Sequence, residues 1–134
     1  MRHKVGFSSE RTLRECRRRG WRAGKVERFV AQAGPHGHRF DLFGWIDVIA
    51  QTPEDGEFLP GVVAIQSCSM STRAAHLEKM RADPEIVRSI EEWTKAGCSA
   101  ELWAWRKLKA KRGEKAVRWA VEVTDLVESR PLGG

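Results

Sequence analysis

Asp47 stands among apolar residues in Trp45-Ile46-Asp47-Val48-Ile49, and Gln66 ends a similar run in Val63-Ala64-Ile65-Gln66. A carboxylate inside an apolar strand is expensive unless something compensates its charge. Side chains on a strand alternate between faces. Ile46, Val48 and Ala50 therefore share one face, as do Val63 and Ile65 on the next strand, and these faces should meet the helices. Asp47 and Gln66 then point the other way and can converge across neighbouring strands. Hard oxygen donors of this kind suit Mg²⁺ or Mn²⁺, ions that bind phosphate and activate water.

Two further acids could complete such a site. Glu27, in Lys25-Val26-Glu27-Arg28, reads either as a ligand from an adjacent strand or as a surface ion pair with Lys25 or Arg28. Asp41 and Asp47 on a regular strand would share a face but sit about 20 Å apart. They can share an ion only if the chain turns at Gly44; otherwise Asp41 caps the loop or pairs with Arg39.

Other chemistry-bearing residues read as bland. His36 and His38 form His-x-His in a glycine-rich loop with no third ligand, which is the pattern of exposed polar loop. His76 shares a helix with Arg73 and Lys79, where it could touch a phosphate or simply face water. Cys68 lacks a local base and orienting partner for nucleophilic work. Trp93 and Trp119 fit core positions. Trp103 and Trp105 could stack on bases or pack in a core or dimer contact.

Charge points to polyanions. The formal net charge is +6, and it is concentrated: ten Lys/Arg against three acids between Arg2 and Arg28, and seven against Glu114 alone between Arg106 and Arg118. Such blocks release counterions on binding phosphates, although a basic run is also the usual makeup of a solvated surface. No apolar run reaches membrane-span length, and none follows Met1-Arg2-His3-Lys4 as a signal peptide would require. The three scattered cysteines form neither a disulfide framework nor a zinc knuckle, so a reducing cytoplasm is expected.

The elements that must position these residues can be read from breaks in the pattern. Ser8-Ser9-Glu10 starts a helix and Gly20 stops it. Strands are expected over residues 21–33, 43–51 and 62–68, forming an antiparallel meander. Ser71 or Thr72 should cap a helix reaching Ala82, and Asp83-Pro84-Glu85 starts another that ends at Gly97. Strands over 100–108 and 116–123 follow, joined by a basic turn at Lys111-Arg112-Gly113-Glu114. The expectation is one domain, with a core over residues 8–124 and a tail over 125–134.

The segments Phe40-Asp41-Leu42-Phe43-Gly44-Trp45-Ile46-Asp47-Val48 and Val63-Ala64-Ile65-Gln66-Ser67-Cys68 resemble the D…(D/E/Q)xK core of PD-(D/E)xK nucleases. Within that superfamily the chain is most similar to phage-type proteins resembling archaeal Holliday-junction resolvases and to VRR-NUC domains. The element order agrees over roughly residues 8–123, and the motif residues run from Glu27 to Lys79.

The resemblance implies an α/β fold with an αβββαβ core, a central mixed sheet flanked by helices, and Mg²⁺- or Mn²⁺-dependent cleavage of branched DNA. It also implies a homodimer and a phage or prophage source. Asp47 matches the metal-binding aspartate, and Gln66 takes the place of the second acid. The motif lysine falls on Cys68, a departure that shifts the cationic role to Lys79 or Arg73 on the following helix. Glu27 and Asp41 would complete the ligand set. Arg17, Arg18, Arg19, Arg39, Arg73, Lys107, Lys109, Lys111 and Arg112 would grip the DNA backbone. The rival readings are a DNA-binding domain with a degenerate nuclease fold and a basic structural subunit.

Overall fold

Glycine or proline stands in most of the connections where the hydrophobic pattern breaks. The computed structural model describes residues 7–109, 113 and 117–127. Helix α1 (Phe7–Arg18) is followed by β1 (Arg22–Lys25), β2 (Arg28–Val30), β3 (His38–Phe40), β4 (Val48–Thr52) and β5 (Gly61–Ser69). A 3-10 turn (Met70–Thr72) leads into α2 (Arg73–Ala82) and α3 (Pro84–Lys95), and β6 (Ser99–Lys107) and β7 (Trp119–Asp125) close the chain. Gly20, with φ 82°, lets the chain leave α1 in the left-handed conformation that a side chain would oppose. Asp83 caps α3 by accepting from the amides of Glu85 and Ile86, with Pro84 in the first turn. Thr72 precedes α2 but makes no side-chain cap; the 3-10 turn supplies its entry instead.

Five strands form one mixed sheet in the order β1-β4-β5-β6-β7. β1, β4 and β5 pair antiparallel, as the meander expectation required. β6 runs parallel to β5, and α2 and α3 supply the crossover that parallel neighbours need. β7 returns antiparallel to β6. The result is a mixed α/β architecture, a five-stranded sheet flanked by helices. Among the described residues no helix is long and apolar enough to cross a membrane.

The strand expected over residues 21–33 is two strands. Val26 and Glu27 interrupt it, and β2 turns away to pair with β3 as a separate two-stranded hairpin. The strand expected from Phe43 starts later, at Val48, because residues 42–46 form a tight turn closed by a Leu42–Ile46 bridge. The end of the chain also differs from expectation. Asp125 belongs to β7, and Leu126 is buried, its amide bonded to the carbonyl of Ala100, so neither is tail.

Both faces of the sheet are covered. Leu13 and Cys16 of α1 pack on Val48, Ala50, Val63, Ile65, Trp103 and Trp105. Leu77 and Met80 of α2 and Ile86 and Ile90 of α3 pack on the opposite side with Trp45, Ile46, Ala64, Cys68, Leu102 and Leu126. Ile46 therefore leaves the face of Val48 and Ala50, because the turn that holds it breaks the strand alternation. The face carrying Asp47 and Gln66 is not bare but belongs to the α2–α3 layer. Trp103 and Trp105 are core residues. Trp119, expected in the core, is 38% exposed with the Arg11 guanidinium 3.5 Å from its ring centroid.

A polar hub ties α1 to the sheet. Thr12, fully buried, accepts hydrogen bonds on Oγ1 from the Ser67 hydroxyl at 2.8 Å and the Trp105 indole N–H at 2.9 Å. Buried polar groups must be paired in this way, or folding loses their hydration without return.

Candidate metal centre

Three strand termini meet at one end of the sheet: β1 ends, β4 begins and β5 ends there. Asp47 sits at this junction, immediately before β4. Its amide donates to the carbonyl of Ile65 and its carbonyl accepts from the amide of Val26, both at 2.9 Å. The backbone is thus pinned on both sides. Val48 pairs with Ile65, so the next position along brings Asp47 beside Gln66 on the same face. Oδ2 of Asp47 accepts from Nε2 of Gln66 and from the amide of Ser67, each at 2.8 Å. The expected convergence of residues 47 and 66 is present, with Gln66 using its amide N–H₂ to hold the carboxylate.

The turn at Gly44 also occurs. Phe43 has φ 56° and Gly44 φ 81°, two successive left-handed residues, and Leu42 and Ile46 exchange backbone hydrogen bonds across the loop. A left-handed conformation costs roughly 1–2 kcal/mol in a residue with a side chain, so Phe43 carries strain that Gly44 does not. Reversal here folds Asp41 back onto Asp47. Glu27 arrives from the break between β1 and β2. One carboxylate oxygen from each of Glu27, Asp41 and Asp47 lies within 4.8 Å of the others.

The electrostatics show what this proximity does. Asp47 is 3% exposed. Burial raises its pKa most, the hydrogen bond and charge of Asp41 add to the rise, and the Ser67 amide opposes it; the net effect is a carboxyl pushed up to about 9. Burial and the nearby Asp41 carboxylate thus both favour the protonated form of Asp47. Glu27, its side chain 5% exposed, faces two cations: Lys25 Nζ at 3.6 Å and Arg39 at 3.4 Å. Lys25 is one of the two partners expected for it, Arg39 stands where Arg28 was expected, and the acid end of the pair is nearly buried and not at the surface.

Asp41, Asp47, Gln66 and Cys68 line a cleft of about 540 Å³. Its walls include Ser8 and Ser9 from the start of α1, Ser67, Ser69 and Thr72 around the end of β5, and Phe29, His38 and Arg39 from the hairpin. His76 of α2 completes it; burial first, and then Lys79, hold this imidazole's pKa below the ordinary histidine range, with Asp41 opposing. Burial pushes the Cys68 thiol up to about 11, which leaves it protonated and a poor nucleophile.

Arg39 apart, the described cationic residues proposed from the sequence fall elsewhere. Lys79 is exposed one turn along α2 from His76 and does not line the cleft. Arg73 turns to β7, donating to Thr124 Oγ1 at 2.9 Å and lying 3.5 Å from Glu122. Among the described residues, Arg39 is the one Arg or Lys in the cleft wall. In the basic run of α1, Glu15 holds Arg18 and Arg19 at 2.7 and 2.8 Å and is itself drawn down to about 2 by them. Arg17 reaches the carbonyl of Ala23 at 3.5 Å. Lys107 and Lys109 are exposed beyond the buried part of β6, whereas Lys111 and Arg112 lie outside the described residues. Sequence reasoning missed the hydroxyl-bearing walls and Phe29. The run Ser67-Cys68-Ser69-Met70-Ser71-Thr72 at the end of a strand was the available signal for the former.

No protein-family model, no curated protein and no solved structure matches this chain.

Proposed function

We propose that this chain is a divalent-metal-dependent endonuclease of the PD-(D/E)xK type, hydrolysing phosphodiester bonds in branched DNA as a homodimer with Mg²⁺ or Mn²⁺. The observation that carries the reading is the meeting of Glu27, Asp41 and Asp47 within 4.8 Å beside Gln66. The donor set fits such an ion. Its ligands are hard carboxylate oxygens, and a dication would offset the mutual repulsion that, with burial, raises the pKa of Asp47. The three carboxylates would hold the ion, which when bound supplies positive charge to a phosphate and lowers the pKa of a water.

The chain's own residues do the rest. Gln66 and the Ser67 amide fix Asp47, so Gln66 positions this ligand through its amide N–H₂. Arg39 has more donors than its contact with Glu27 occupies and can meet a phosphate in the cleft. The exposed arginines of α1 and the lysines beyond β6 supply attraction for the DNA backbone without reading bases. The sheet order, with three antiparallel strands followed by a helical crossover to a parallel fourth, is compatible with the αβββαβ core.

Purified protein incubated with branched, flapped and linear DNA in EDTA, Mg²⁺ or Mn²⁺ tests the reading. Cleavage that requires the ion and is lost in Asp47→Ala is the expected result; no cleavage of any substrate under any condition overturns it. A specific observation favours a second reading, a DNA-binding domain that has lost catalysis. The motif lysine position holds a buried protonated thiol, and neither Lys79 nor Arg73 enters the cleft. Salt-sensitive binding without cutting would select it.

A further inference from the structure

The hairpin of β2 and β3 contributes nothing to the main sheet, yet it forms one wall of the cleft. Its strands leave two aromatic residues about half exposed: Phe29 at 51% and Phe40 at 44%. Cross-strand pairing sets Phe29 opposite Arg39, and both line the cleft with Asp41 and Asp47. The position of the Phe29 ring is built in. It lies so close over Gly37 that a Cβ at that residue would fall 2.3 Å from Cζ, so only glycine lets the ring rest there. Gly37 also has φ 76°, a second reason for its identity. Between Arg28 and Phe40 the sequence holds two Arg, two His and no acid.

An exposed ring backed by a glycine, with an arginine opposite it on the partner strand, does little for stability, because it forgoes the burial that stabilises a core phenylalanine. It does offer a flat π face next to positive charge, the combination that takes a nucleobase together with its phosphate. Arg28 is exposed, and Arg39, held by Glu27, keeps further donors at the cleft wall, so the hairpin can meet a polyanion. A base inside a duplex has both faces stacked on neighbours and cannot accept Phe29; an unpaired base can. We propose that Phe29, with Arg39 beside it, is a stacking site for an unpaired nucleobase, so that the strand entering the cleft is single-stranded at the point of contact. The proposal deepens the endonuclease reading and rests on it for the identity of the polymer: the preferred substrates are flaps, gaps, junction arms that fray, or free single strands.

The test is binding, made in EDTA so that it does not depend on cleavage. Fluorescence anisotropy follows a short labelled oligothymidylate and a duplex of equal length, with the full chain as wild type, Phe29→Ala, Phe29→Leu and Phe29→Trp. Stacking is worth about 1–3 kcal/mol per base, a factor of roughly 5 to 150 in affinity. Phe29→Ala and Phe29→Leu should therefore bind the single strand about 5- to 150-fold more weakly, Phe29→Trp should match wild type, and duplex affinity should change less than about twofold. Thermal melts of each variant establish folding, which the exposure of Phe29 makes insensitive to these changes. Wild-type affinity in Phe29→Leu, or equal losses for single strand and duplex, overturns the stacking site. Failure of the endonuclease reading shows separately, as absence of cleavage with Mn²⁺ while the binding difference stands.

Discussion

Gln66 donates its side-chain amide to Oδ2 of Asp47 across 2.8 Å, which makes the amide a clamp on the carboxylate. Replacing it by an acid removes the donor and adds a charge next to an already crowded cluster. Gln66→Glu should lower stability in EDTA by on the order of 1–2 kcal/mol, the scale of a lost buried hydrogen bond. It should also raise the thermal shift produced by Mn²⁺ above that of wild type, because a fourth carboxylate strengthens cation binding. Melting curves with and without Mn²⁺ check both parts, and an unchanged EDTA melt would contradict the clamp.

Asp47 makes stability depend on pH in a defined direction. Its folded pKa is raised from an ordinary carboxylate value to about 9, so the native state binds the extra proton. Its contribution is complete below about 4 and is lost as pH rises towards about 9. The metal-free melting temperature should fall across that window, and saturating Mn²⁺ should flatten the fall. Asp47→Asn removes the titrating group and should stabilise the metal-free protein by on the order of 1 kcal/mol while abolishing the Mn²⁺ shift, a trade of function for stability.

Gly44 brings Asp41 to the cluster through a backbone that side chains resist. Gly44→Ala places a Cβ at φ 81° and should cost about 1–2 kcal/mol. Ile86 lies 3.7 Å from that Cβ, so space is not the obstacle and the penalty is conformational. A displaced Asp41 should weaken Mn²⁺ binding by more than the stability loss explains, measured by calorimetric titration at a temperature where the variant is folded.

Thr12 offers a test remote from the acids. Thr12→Val keeps the shape but strands the Ser67 hydroxyl and the Trp105 indole N–H, and should cost about 2 kcal/mol in urea unfolding. A loss below about 0.5 kcal/mol would mean that the hub is not a stabilising contact.

The three cysteines should react unequally. Cys16 and Cys68 are buried, and burial pushes both thiols up to about 11; Cys98 is partly exposed. Iodoacetamide on the native protein, read by peptide mass spectrometry, should label Cys98 at least tenfold faster than the others, a bound of about 1.4 kcal/mol in protection.

The pairing that brings Asp47 beside Gln66 was legible because Asp47 stands within an apolar run and Gln66 ends one, and strand geometry puts both on one face. The cap at Asp83-Pro84 and the stops at Gly20 and Gly97 were legible for the same kind of local reason. Asp41 was not placed by pattern, since its approach depends on a positive φ at Phe43, a residue with no preference for it. The break at Val26-Glu27 was hidden inside a run that reads as continuous strand, and so the hairpin beyond it was invisible. The ion pairs were least legible: Arg18 and Arg19 are held by Glu15, and Arg73 by Thr124 and Glu122, partners set by folding and by helical spacing that composition ignores. Trp119 lies on the edge strand β7, where the Arg11 side chain of α1 covers its ring and still leaves the residue 38% exposed.

Parallel pairing of β5 with β6 has a practical side. Ser99 begins β6 opposite Val63, while the acids cluster near Gln66 and Ser69 at the other end of β5, so Cys98 stands at the far tip of the sheet from the cleft. A fluorophore, spin label or surface tether attached through that sulfur would point away from the entrance. Immobilised this way, every molecule would present its opening to solution in one orientation.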